Sequence, residues 1–144
     1  MTRLGPAGLD PGRSKCGLAL ADASGETILS AAILSPDASL ELLRRWHGQG
    51  LSQVVLGDGT GSGPWQRQLE QLGLAVVRMD EWGTTLAARQ RYWQLEPPRG
   101  WRRWLPTGMR LPPRDIDDVV AQLLLERHLG RPLRRRDVSG GAGF

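Results

Sequence analysis

The chain has 144 residues, 40% hydrophobic and 24% charged, with a formal net charge of +4, which fits one domain with a core of its own. No apolar run approaches the roughly eighteen residues of a membrane span, and the opening residues Met1 to Pro6 lack signal-peptide character. The basic surplus permits phosphate binding without requiring it, and the single cysteine, Cys16, excludes an internal disulfide and suits a reducing cytoplasm.

In chain order, Ala7 to Asp10 reads as the end of a first strand, stopped by Pro11-Gly12, with Pro6 awkward inside it. Cys16 to Asp22 and Glu26 to Leu34 are dense in apolar residues and separated by Ser24-Gly25, which predicts a hairpin. Ser39 to His47 carries an apolar helical stripe through Leu40, Leu42, Leu43 and Trp46. Gln53 to Leu56 is a short strand that runs into Gly57-Asp58-Gly59-Thr60-Gly61. Trp65 to Leu72 reads as a helix closed by Gly73, and Leu74 to Met79 as a buried strand ending at Asp80-Glu81. Thr84 to Tyr92 and Ile116 to Leu129 are two further helices, separated by an irregular Pro-, Arg- and Trp-rich stretch from Glu96 to Arg114. The pattern predicts an α/β fold, with a mixed five-stranded sheet flanked by helices over residues 1–130, and a basic then Gly-rich flexible tail over 131–144.

Ligands on such sheets bind outside the carboxyl ends of the strands, and Asp10 and Glu81 both stand at predicted strand ends. Asp117 and Asp118 open the last helix. Carboxylates that converge from separate elements are what a two-metal phosphodiester hydrolase needs, and hard oxygen ligands suit Mg²⁺ or Mn²⁺. Each acid also has a purely structural use: Asp115, Asp117 and Asp118 as helix caps, Asp10 in a turn, Glu81 in solvent.

Gly8-Leu9-Asp10-Pro11-Gly12-Arg13-Ser14-Lys15-Cys16-Gly17-Leu18-Ala19 resembles the opening motif of the YqgF (RuvX-like) family. Asp80-Glu81-Trp82-Gly83-Thr84-Thr85 followed by Ala88-Arg89 resembles its second motif. Ile116-Asp117-Asp118-Val119-Val120-Ala121, ending in Leu125-Glu126-Arg127-His128-Leu129, resembles its third. The resemblance spans residues 7–130 and implies an RNase H-like fold and a cytoplasmic, metal-dependent nuclease. That family is described as Holliday-junction-resolvase-like and is implicated in processing the ends of precursor 16S rRNA. Carried over by position, it implies Asp10, Glu81 and Asp117 as catalytic acids that bind Mg²⁺ or Mn²⁺; Asp118 falls where relatives often have a small residue and is read as an auxiliary metal ligand. Arg13, Lys15, Thr84, Thr85 and Arg89 fall where nucleic acid would be met. Thr84 and Thr85 serve equally as helix caps, and Arg89 equally as a solvated surface residue.

Trp82 stands where many relatives have arginine, and the Gly57-to-Gly63 loop departs from the family's Gly-Leu-Pro character. Trp101 and Trp104, among Arg99, Arg102, Arg103 and Arg110, either stack on unpaired bases or cover the core beneath the long loop. The implied partner is nucleic acid, RNA ahead of structured DNA, bound by a monomer or homodimer away from any membrane. The rival readings are a Holliday junction resolvase, which must be dimeric to present two sites, and a catalytically inactive nucleic-acid-binding protein of ribosome assembly or transcription.

Overall fold

The computed structural model describes residues 3–106, 109 and 111–135. Its first three strands, β1 (Leu4–Asp10), β2 (Cys16–Asp22) and β3 (Thr27–Leu34), form an antiparallel meander. Asp22 closes the hairpin: its Oδ1 accepts from the backbone N–H groups of Glu26 at 3.0 Å and Thr27 at 3.1 Å, the local bonding that makes aspartate a turn residue. Then come α1 (Pro36–Gly48), β4 (Gln53–Gly57), α2 (Ser62–Gln71) and β5 (Ala75–Met79). They are followed by α3 (Thr84–Leu95), a 3-10 turn at Gly100–Trp104, and α4 (Asp117–Leu129). Strands β1, β4 and β5 run parallel because helical crossovers connect them.

The first helix begins three residues earlier than its apolar stripe suggests, because Ser35 caps it and Pro36 supplies the first turn. Pro6 is accommodated inside β1 where the ladder is broken. The register against β2 slips between Leu4 and Ala7, and pairing with β4 starts only at Ala7.

Side-chain alternation sorts the sheet into two apolar faces. Leu9, Leu18, Leu20 and Leu56 pack with Leu43 and Trp46 of α1 and Leu69 of α2. Cys16 lies buried in the same cluster, a core residue. Ala19, Ala21, Ile28 and Val55 face Ala121, Leu124 and Leu125 of α4. Cover on both faces is why these strands read as unbroken apolar runs. Helix α3 holds mainly to α4, through Ala88, Tyr92 and Trp93 against Val119.

Among the described residues the sheet has six strands where the sequence suggested five, and with the sixth, β6 (Arg134–Arg135), the order is β5-β4-β1-β2-β3-β6. The addition lies parallel to β3. Two arginines carry no strand pattern; they are fixed by the burial of Leu133 and by an ion pair from Arg135 to Asp118 at 2.9 Å. Residues 131–135 therefore belong to the fold instead of to a flexible tail, and the Gly-rich remainder lies outside the described residues.

Candidate active site

Asp10 ends β1 and pairs across to Gly17 of β2. It shares the parity of Gly8, where a Cβ would stand 2.3 Å from the Ala121 carbonyl oxygen, so Asp10 lies on the face that α4 covers. Glu81 follows β5, two strands away. The two carboxyls are in hydrogen-bonding contact, and the Asp10 pKa rises from 3.8 to about 8. Burial is the main cause, followed by the contact with Glu81, the Glu81 charge and the Asp117 charge. Oε1 of Glu81 is buried and finds no hydrogen-bond partner among the described residues.

The Glu81 carboxylate sits in a seat made of absent side chains. A Cβ on Gly57 would lie 2.1 Å from Oε1, and one on Gly59 would lie 2.2 Å from Oε2. Asp58, between them, accepts the Glu81 backbone N–H at 3.1 Å while its own N–H bonds the Met79 carbonyl at 3.0 Å. The hydroxyl of Thr84 donates to the Glu81 carbonyl at 2.7 Å, and its N–H donates there at 3.0 Å. The Gly57–Gly59 loop, which looked like a departure at the sequence level, is thus what positions the second acid. Its Gly-x-Gly spacing at a strand end was the available signal.

Asp117 opens α4. A Cβ on Gly17 would stand 1.8 Å from the Asp117 carbonyl oxygen, so the helix start can rest on β2 beside Asp10 only because position 17 is glycine. The Asp117 side chain is about one-third exposed and lies 3.7 Å from Lys15 Nζ. Lys15 also hydrogen-bonds Asp115, which raises its pKa.

Asp118, the expected auxiliary ligand, is placed elsewhere. Its carboxylate pairs with Arg114 and Arg135, each at 2.9 Å. Burial alone would raise its pKa, but the two guanidiniums outweigh that and hold it below the usual value. Its neighbour network, Arg91–Glu126 at 2.8 Å and Gln122 to the Leu133 carbonyl at 3.2 Å, docks β6 on the α4 side.

Of the expected nucleic-acid contacts, Lys15 and Arg89 line one groove of about 300 Å³ with Asp117. Thr84 is buried and used within the Glu81 turn, whereas Thr85 is exposed on the first turn of α3. Arg13 is exposed between β1 and β2. Trp82, Trp101 and Trp104 stand 84%, 65% and 78% exposed, so the loop tryptophans do not cover the core.

Glu81 and Asp117, whose charges reach Asp10, offer carboxylate oxygens, which match a hard divalent cation. The orphaned Glu81 oxygen and its glycine seat fit such an ion. Asp117 leans on Lys15, and among the described residues no group of three His, Cys, Asp or Glu side chains stands ready-made to hold a metal.

No family model matches the sequence, and no curated protein matches it. The fold places the chain in a structural class, the RNase H-like α/β sheets. Among solved structures it is similar to T. thermophilus RuvC in complex with a Holliday junction substrate, with a TM-score of 0.50 and 17% identity over 89% of this chain and 98% of that one. At that identity the likeness is one of fold. No helix is long and apolar enough to cross a membrane among the described residues.

Proposed function

We propose that the chain is a metal-dependent nuclease that hydrolyses phosphodiester bonds at the Asp10–Glu81–Asp117 end of its sheet. The observation that carries this reading is the contact between the Asp10 and Glu81 carboxyls, where the Asp10 pKa reaches about 8. Two half-buried acids in contact favour whatever supplies positive charge between them, a proton or a cation. Asp10 and Glu81 would hold Mg²⁺ or Mn²⁺, with Asp117 beside them, and such an ion supplies Lewis-acid chemistry at phosphorus. Lys15 and Arg89, in the groove shared with Asp117, would meet the phosphates on either side of the scissile bond. Asp58, Gly57 and Gly59 act through Glu81 as positioning residues.

The motif resemblance to the YqgF family makes precursor 16S rRNA ends the favoured substrate and the cytoplasm the expected site of action. Likeness of fold to a RuvC solved on a Holliday junction makes a four-way DNA junction the second substrate to test. The deciding assay offers both labelled substrates with Mg²⁺ or Mn²⁺ to the wild type and to Asp10→Ala. Metal-dependent cleavage that disappears in the variant is expected, and the preferred substrate separates RNA processing from junction resolution. No cleavage of either, with unchanged RNA binding by the variant, would leave a nucleic-acid-binding protein in place of an enzyme.

A further inference from the structure

The 3-10 turn Gly100–Trp104 buries none of its residues, and it lies in a basic stretch of the chain. Residues 97–114 contain Arg99, Arg102, Arg103, Arg110 and Arg114 and no acidic residue. Within that turn the Trp101 and Trp104 rings remain more than half exposed. Each carries a neighbouring guanidinium over its ring, Arg102 at 5.0 Å from the Trp101 centroid and Arg103 at 5.4 Å from that of Trp104. Large exposed rings with cations against them are poor material for a core and good material for a surface that takes a flat, electron-rich, anionic partner.

Two hollows lie along this loop. One, of about 430 Å³, is lined by Tyr92, Trp93, Arg99, Arg102 and Pro113 among others. The second is the groove of Lys15, Arg89 and Asp117, whose wall includes Leu111, Pro112 and Arg114. Segment 111–114 thus contributes to both hollows, Pro113 to the first and Leu111, Pro112 and Arg114 to the second, and Arg102 of the turn lines the first.

We propose that Trp101 and Trp104 form a stacking platform for unpaired bases, so that the ligand of this face is a single-stranded polynucleotide led toward Asp117. The inference rests on the nuclease reading and narrows its substrate to strands with free base faces. A protein hot spot can also be rich in Trp and Arg. Here Arg99, Arg102 and Arg103 around the two rings, and the segment that the first hollow has in common with the Lys15–Arg89 groove, favour a polyanion. A duplex fits poorly, since its bases already stack on each other and present only edges and phosphates. Every base has a π-face, so the platform would tolerate sequence and accept RNA or DNA strands.

The test measures anisotropy of labelled 20-mer U and dT strands and of blunt RNA and DNA duplexes, in EDTA so that nothing is cut. Wild type, Trp101→Ala, Trp104→Ala and Trp101→Phe are compared, with thermal melting as a fold control. Each alanine variant is expected to weaken single-strand binding about tenfold and to leave duplex binding and melting unchanged, while Trp101→Phe stays near wild type. Alanine variants that bind single strands like wild type, or lose duplex binding equally, overturn the platform. Cleavage of the same strands with Mn²⁺ separates the two readings. If the alanine variants lose strand binding and the wild type cuts nothing, the platform stands without the nuclease. If the wild type cuts and the variants bind as before, the nuclease stands without the platform.

Discussion

Asp10 and Glu81 reach each other from strands that β4 separates, and their carboxyls are in contact on the face covered by α4. That contact has a thermodynamic consequence in the protein without metal. Asp10 keeps its proton up to about pH 8 when folded and only to about 3.8 when unfolded. Between those values the folded state binds more protons, so stability falls as pH rises. Thermal melting from pH 4 to pH 8 in EDTA should show this decline, and Asp10→Asn should flatten it. At pH 8 the variant should melt roughly 2–8 °C higher, about 1–2 kcal/mol for a domain of this size. Added Mg²⁺ should raise the wild-type midpoint at pH 8 and leave that of Asp10→Asn nearly unmoved. Equal slopes in EDTA for the two proteins would remove the strained acid pair from the account.

Gly57→Ala and Gly59→Ala should each displace the Glu81 carboxylate, because the added Cβ would fall 2.1 and 2.2 Å from its oxygens. A shift of about 1 Å in a catalytic group costs about 100-fold in rate. Cleavage by each variant should fall by that order while far-UV circular dichroism stays native. Gly48→Ala, whose Cβ would meet nothing within 4 Å, is the control and should cut normally.

Gly17→Ala tests the third acid through backbone alone. Its Cβ would meet the Asp117 carbonyl at 1.8 Å and Asp118 N at 2.9 Å, so the start of α4 must lift from β2. Overpacking of this kind costs about 1–3 kcal/mol. Denaturant unfolding should show that loss, and cleavage should fall further than stability alone accounts for. Retained activity in a destabilised variant would remove Asp117 from the chemistry.

Asp118→Ala should act on stability, since it strands Arg114 and Arg135 around a vanished carboxylate. Breaking a buried pair of this kind costs about 3 kcal/mol. The native Asp118 pKa lies below its ordinary 3.8, so the stability it contributes is present above that value and is lost as pH falls through the lowered one. Urea midpoints of wild type and Asp118→Asn should therefore differ at pH 7 and converge in acid. A large loss of cleavage in a well-folded Asp118→Asn would return this residue to the metal site.

The sequence alone was sufficient for the meander, the alternating crossovers and the order of elements. Those follow from apolar runs, turn residues and helical stripes, which are local signals. The placement of Asp10 and Glu81 at strand ends was legible for the same reason. Whether the acids meet depends on non-local packing, and three glycines settle it: Gly17 admits the start of α4, and Gly57 and Gly59 admit the Glu81 carboxylate. A glycine in sequence does not reveal which distant atom occupies the space left by its missing side chain. Asp117 and Asp118 are neighbours on one helix start, yet one leans on Lys15 near the acid pair and the other is tied to Arg114 and Arg135. Successive helical residues point about 100° apart, so the surrounding charges, brought in from β6 and the long loop, decide which of them faces the site. Only the folded chain contains that information.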